Sequence, residues 1–193
     1  MSRPGAEPSD DELLARFARG EAAAASMLTA RLGPRTHSLA LRVLGDGAEA
    51  EDVAQEAMLR LWRMAPDWRP GAARVSTWLY RVTLNLCLDR KRRGRRGPVG
   101  LDCVPEPADP APGPAEAMQE GARAKALQGA LMQLPDRQRH AVVLRHIEEL
   151  SNPEIAEIMG VGVEAVESLT ARGRRALAAA LAGRREELGY EDG

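Results

Sequence analysis

The sequence predicts an all-α protein: two small helical domains joined by an extended linker. Three features carry this expectation. Apolar residues recur at three- and four-residue intervals over long stretches, and no strand-like alternation runs for more than a few residues. Aromatic residues make up only 3% of the chain while alanine and leucine abound, a balance that favours helix over sheet. The stretch "GPVGLDCVPEPADPAPGP" interrupts the middle of the chain with prolines and glycines, which remove backbone donors and helix continuity. It is acidic and has no apolar period, so it reads as a linker over residues 95–114 between domains at 10–94 and 115–188. A long surface loop within one domain is the competing reading, and structureless loops of that length are uncommon.

In the first domain, Asp10 can cap a short helix, "DELLARFA", that stops near Gly20. A second helix runs from about Glu21 toward Leu44, with an irregularity expected at Gly33 and Pro34. From Glu49 to Met64, the residues Val53, Ala57, Leu61 and Met64 share one face, and Asp52, Gln55, Glu56 and Arg60 lie opposite. "PDWRPGAARVS" breaks the chain. A fourth helix, from Thr77 to about Arg93, carries Leu79, Val82, Leu86 and Arg90 along a stripe. In the second domain a helix ends near Leu134, because proline at 135 disfavours helix in the residue before it. Asp136 opens the next helix, "RQRHAVVLRHIEE".

"NPEIAEIMGVGVEAVESLTARGRR" then reads as helix, tight turn, helix. Asn152 can cap a helix that begins at Pro153, a position where proline loses no hydrogen bond. Glu154 suits the first turn, and Gly160 can supply the positive φ of the turn. Ile155, Met159, Val161, Val166 and Leu169 are spaced to pack two helices together, and Ala156 is small where they approach. With Val166, Leu169 and Gly173 inward, the outward face of the second helix is Glu164, Glu167, Ser168, Ala171, Arg172 and Arg175, with Arg174 in the same arginine cluster. Arginine can engage phosphate or the O6 and N7 atoms of guanine, and glutamate can accept from cytosine N4 or repel other bases. An ordinary helical hairpin, with the glutamates as solvated charges, is the alternative.

The totals exclude several classes. A chain of 193 residues with 44% apolar and 28% charged side chains has the composition of soluble globular domains. No apolar run approaches the roughly 18 residues of a membrane span, and the start "MSRPGAEPSDDELLARF" turns acidic too soon for a signal peptide. Cys87 and Cys103 lie far apart without a CxxC partner, so a reducing cytoplasm is expected and a disulfide framework is not. Their spacing to His37, His140 or His146 gives no support to a metal site, and no cofactor motif is present. No Gly-rich phosphate loop, GxSxG elbow or HExxH occurs, so no catalytic site is expected. The net charge is only −1, yet cations gather at "RVTLNLCLDRKRRGRR" and "ARGRR". Fields act over about a Debye length, roughly 8–10 Å, so such patches outweigh the sum.

Four blocks, "AEDVAQEAMLRLWR", "VSTWLYRVTLNLCLDRKRR", "LMQLPDRQRHAVVLRHIEELSNPEIAEIMG" and "RGRRAL", resemble bacterial sigma factors of the two-domain extracytoplasmic-function class, in the same order. The resemblance spans roughly Asp10 to Leu181. It implies that Asp52, Gln55, Glu56, Arg60 and Trp62 grip the clamp coiled coil of the largest RNA polymerase subunit. It implies that Trp68 to Asn85 opens promoter DNA near position −10: Trp68, Trp78 and Tyr80 can stack bases, Asn85 can bond a base edge, and Arg81, Arg90, Lys91, Arg92 and Arg93 can track phosphates. For Trp78 and Tyr80 the competing reading is core packing, the usual fate of a helical aromatic; Trp68, in a loop, is the stronger candidate. The helix-turn-helix would read the −35 element. The acidic linker would thread toward the polymerase active centre. Expected partners are core RNA polymerase, promoter DNA and an anti-sigma factor that clamps the two domains.

The chain also departs from the family. Basic residues are common near Glu167 and Leu169, and a "RAR" run near Arg172, but this sequence reads "ESLTARGRR", so an uncommon −35 element is expected. "AAAASMLTARLG" carries Ala and Leu where aromatics are frequent. "VESLTARGRRALAAALAGRREELGY" is similar to a subgroup restrained by a zinc-binding, cupin-containing anti-sigma protein that responds to oxidants. Two other classes compete: a different helix-turn-helix regulator, against which the helical first half speaks, and a polymerase-binding adaptor that does not read DNA, against which the basic fourth helix speaks.

Overall fold

The computed structural model describes residues 7–71, 73–94 and 114–182, with side chains from 119 onward in the last segment. The expected linker over 95–113 and the tail over 183–188 lie outside these residues. All regular structure among the described residues is helical. The first half holds α1 (Asp10–Ala18), α2 (Ala22–Leu44), α3 (Gly47–Met64), a 3-10 turn (Ala65–Asp67) and α4 (Val75–Gly94). The second half holds α5 (Pro114–Gln133), α6 (Asp136–His146), α7 (Asn152–Met159) and α8 (Val163–Ala182).

Serine, not the acid or amide beside it, caps two helices. At α1 the cap is Ser9 rather than Asp10: its hydroxyl accepts from the Glu12 N–H, and the Glu12 carboxylate accepts from the Ser9 N–H at 2.8 Å. At α7 it is Ser151 rather than Asn152, with Glu154 as the reciprocal partner at 2.9 Å. Both are capping boxes, in which two otherwise unpaired N–H groups are satisfied together. Pro153 therefore stands second in its helix, still within the turn where its missing N–H costs nothing.

α2 runs unbroken through Pro34, where an irregularity was expected. Proline in a helix interior costs about 3 kcal/mol. The cost is offset by burial along the same helix: Leu28, Leu32, Leu39, Ala40 and Val43 are all at most 1% exposed. α2 packs on α1, α3, α4, α5 and α6, so it is the common wall of both halves. Arg31 ties α1 to it, donating to Asp10 at 2.7 Å and to the Pro8 carbonyl at 3.0 Å.

The expected stripe of α3 is buried at Val53, Ala57 and Leu61, with Met64 packed at its edge. In α4 the core side chains are Val75, Leu79, Tyr80, Leu84, Leu86 and Cys87, a wider face than the expected one. Burial pushes the Cys87 thiol up to about 12, which leaves it inert as a nucleophile. Ile155 and Val166 close the helix-turn-helix as expected; Ile158, absent from the expected set, is also buried. Gly160 ends α7 at φ 63°. Gly173 is buried where α8 crosses α6: a Cβ there would stand 2.6 Å from Val142 Cγ2 and 3.1 Å from the Gln138 carbonyl.

One contiguous core includes residues of both halves. His140 of α6 lies inside it, 3% exposed, with Nε2 lacking a hydrogen-bond partner. Burial lowers its pKa to about 4; Asp136 opposes that shift, and Lys91 and Arg139 add to it. The folded value lies below the ordinary 6.5, so the unfolded chain binds the extra proton between these limits. Stability is thus full above about 6.5 and falls as pH drops toward about 4, by a few kcal/mol. Denaturant titrations across this range should show the loss, and His140→Leu should flatten it.

Candidate polymerase and DNA surfaces

α3 and α4 together form a shallow cleft of about 380 Å³ lined by Asp52, Gln55, Glu56, Leu59, Arg60, Leu86, Arg90 and Arg93. Its rim is an ordered lattice of charges. Arg60 donates to Glu56 at 2.8 Å, and this bond holds the Glu56 carboxyl below its usual range. Gln55 donates to Glu51 at 3.2 Å. Leu59, 48% exposed, is among the lining residues and had no part in the sequence reading, because a lone exposed leucine carries no signal by spacing. Trp62 does not join the cleft. Its ring packs on Phe17 of α1, with centroids 4.7 Å apart.

The residues assigned to the −10 side divide into three groups. Arg81, Asn85 and Arg92 are exposed and fall on one stripe of α4, at helical offsets of four and seven. Arg92 lies 3.6 Å from Asp89, an exposed pair of little energetic weight. Trp68 and Trp78 are half-buried and meet edge to face at 6.5 Å. The Trp68 indole N–H donates to Asp11 of α1 at 2.6 Å. That partner was missed, since Asp11 lies 57 residues before Trp68 and only helix docking brings them together.

Three members of the set turn away from solvent contact with a ligand in this arrangement. Tyr80 is 1% exposed and donates its hydroxyl to Glu148 of the second half at 2.7 Å. Burial first, then this carboxylate, raise the phenol pKa, so it stays a donor. Arg90 is bonded to Glu49 and lies 3.2 Å from Asp52, so in this arrangement it faces the α3 cleft. Lys91 is paired with Asp136 at 2.6 Å. Arg93 is exposed at the rim of the same cleft.

Every residue proposed for the outward face of α8 is exposed: Glu164, Glu167, Ser168, Ala171, Arg172, Arg174 and Arg175. Arg172 bends back to Ser168, donating to its carbonyl at 3.2 Å and its hydroxyl at 2.9 Å. Asn152 donates to Glu167 at 3.4 Å, which links the start of α7 to the middle of α8. A groove of about 310 Å³ runs beside this link, lined by Arg145, His146, Asn152, Glu167, Thr170, Ala171 and Arg174. Glu167 is the one acid among these lining residues. Burial and the nearby Arg145 and Arg174 hold the His146 pKa low. Arg145 and His146 were missed as neighbours of α8 because they sit on α6, with α7 between the two helices in sequence.

Residues 28–97 match sigma-70 region 2, and residues 124–177 match sigma-70 region 4. The two halves thus define a sigma-70-type transcription factor. The chain is 40% identical over 147 residues to the ECF RNA polymerase sigma factor SigE of Mycolicibacterium smegmatis, covering 74% of this chain and 56% of that protein. It is 37% identical over 172 residues to SigM of Mycobacterium tuberculosis, covering 89% of this chain and 84% of that one. The structure of CnrH in complex with the cytosolic domain of CnrY aligns over 91% of this chain and 99% of that chain, at 29% identity and a TM-score of 0.66. This chain belongs to the ECF RNA polymerase sigma factors. Such a protein is a transcription initiation factor and not an enzyme. No helix among the described residues is long and apolar enough to cross a membrane.

The Trp68–Asp11 bond gives a direct check on how the 65–75 loop is held. Asp11→Ala should cost about 1–2 kcal/mol in urea denaturation, the usual loss when a partly buried donor is orphaned. Asp11→Asn, which keeps an acceptor, should cost less.

Proposed function

We propose that this chain grips core RNA polymerase through the α3 cleft, opens the promoter near −10 with the Trp68 loop and α4, and reads the −35 element through α8. The supporting observation is the chemical division of its surface. The α3 cleft carries acids and an amide beside an exposed leucine, suited to a basic helical partner. The Arg81, Asn85 and Arg92 stripe offers cations and an amide to a nucleic acid strand. The outward face of α8 combines arginines with Glu164 and Glu167, and none of these supports the core. Residues 10–94 and 115–188 act as the two working domains, with 95–114 as the tether.

The promoters served are of the stress-response kind, and the work is cytoplasmic. An anti-sigma factor restrains the chain, a reading supported by the seating of the CnrY cytosolic domain on the similar CnrH. Within that reading, the likeness of the 166–190 segment to one subgroup points to a zinc-binding, cupin-containing partner. A partner that co-purifies without zinc would set this subgroup aside.

Run-off transcription with core polymerase and promoters selected from a random pool tests the whole assignment. Promoter-dependent transcripts support it; their absence, together with failure to co-purify with core, refutes it. Asp52→Arg should remove one of the two acids beside Arg90, place a further cation in the cleft and weaken core binding, with helix content unchanged by circular dichroism. Glu167→Arg should change the preferred −35 bases by about 1–3 kcal/mol per base pair in a binding selection. An unchanged preference would remove Glu167 from the reading surface.

A further inference from the structure

Trp68 is placed by partners from two different helices. It leaves the 3-10 turn with extended backbone, φ −64° and ψ 129°, and stands half-buried at the start of the loop into α4. Its ring meets Trp78 of α4 edge to face at 6.5 Å. Its indole N–H, a donor with no acceptor of its own, donates to Asp11 of α1 at 2.6 Å. A tryptophan side chain turns about two bonds. Ring contacts are broad in distance and angle, whereas a hydrogen bond is narrow in both. The Asp11 bond is therefore what sets the plane of the indole.

That plane belongs to the surface proposed for promoter DNA. Trp78 stands three residues before Arg81 and seven before Asn85, so the three share one side of α4. Trp68, seated against Trp78, lies at the N-terminal end of this stripe. Asp11 comes from outside it: the match to sigma-70 region 2 begins at residue 28, and α1 ends at Ala18. α1 is nonetheless well anchored. The capping box of Ser9 and Glu12 closes its first turn. Arg31 of α2 holds Asp10 at 2.7 Å, and Phe17 packs on Trp62 of α3. α1 also packs on the 3-10 turn that delivers Trp68. With Asp10 taken by Arg31, the carboxylate beside it is left to the indole.

We propose that Asp11 is a positioning residue for promoter opening: it holds the Trp68 indole in the plane on which an unpaired base of the −10 element stacks, and α1 is thereby part of the DNA-handling surface. This rests on the reading of Trp68 given above. Stacking one base on an aromatic ring is worth about fivefold to over a hundredfold in affinity. Part of that gain is lost when the base must first order the ring. The bond to Asp11 supplies the order in advance.

The test uses the full chain assembled with core polymerase on a selected promoter, with opening followed by permanganate reactivity of unpaired −10 thymines. All variants are compared at a temperature where circular dichroism shows them equally helical. Asp11→Ala should slow opening about five- to tenfold with core affinity unchanged. Asp11→Asn, which keeps an acceptor, should restore opening to within about twofold of wild type. Phenylalanine at position 68 has no N–H, so Asp11→Ala should add nothing in a Trp68→Phe chain, a non-additivity that lost fold stability would not produce. Wild-type opening in Asp11→Ala, or an Asp11→Ala defect that persists undiminished beside Trp68→Phe, would overturn the role of Asp11. Trp68→Ala separates this inference from the reading beneath it. If Trp68→Ala opens slowly while Asp11→Ala does not, only the positioning role falls. If Trp68→Ala opens as fast as wild type, the reading of Trp68 falls and the positioning role with it.

Discussion

The guanidinium of Arg139 is the interaction on which the architecture turns. It is 3% exposed and donates to four carbonyls: Leu131, Met132 and Leu134 at the end of α5, and Val43 at the end of α2. The last carbonyls of a helix have no partners of their own, and burying them unpaired is costly. One side chain therefore closes two helix ends, fixes the turn from α5 into α6 and joins the halves. Its charge is not left alone, since Asp136 stands 3.4 Å away. Burial raises the Asp136 carboxyl, but the Lys91 bond and the charges of Lys91, Arg139 and His140 outweigh it and hold the group low. Gly45 shares in this junction. It ends α2 at φ 78°, and Met132 lies so close that a Cβ there would meet its sulfur at 2.8 Å.

Around this junction the net charge of −1 resolves into working patches. Acids of α3 and cations of α4 face each other across one cleft, and acids of α6 and α7 meet cations from the first half at the interface. The arginines of α8 remain at the surface. The overall figure therefore says little about partners, because opposite charges are consumed in pairs at some faces and left exposed at others.

Helix count, order and approximate ends were legible in the sequence, because hydrophobic spacing and glycine or proline breaks act locally. So was the inward placement of Val166 and Gly173. The caps were misplaced by one residue at Ser9 and Ser151: in "SD" and "SN" either residue can cap, and the glutamate three positions after the serine decides. An irregularity was expected at Gly33 and Pro34 because local propensity was judged without the burial that carries α2 across them. The site was less legible. Arg90 looked like a phosphate contact within a basic run, yet Glu49 and Asp52, about forty residues earlier, claim it. Tyr80 and Lys91 likewise find partners 68 and 45 residues away. Such pairings depend on how helices dock, which periodicity does not encode.

The outward face of α8 makes no contribution to the core, while Val166 and Gly173 on its other side carry the packing. On the proposed reading, folding and recognition are written in separate letters of the same helix. Substitutions among Glu164, Glu167, Ser168, Ala171, Arg172 and Arg175 can accumulate without threatening the fold. Gene duplicates of a chain that reads promoters as proposed can drift apart in the promoters they serve while keeping one scaffold, with the tether of Glu167 to Asn152 and the bonds of Arg172 to Ser168 as local ties on that drift. If that face sets promoter choice as proposed, a change of regulon needs few steps, and stability does not stand in its way.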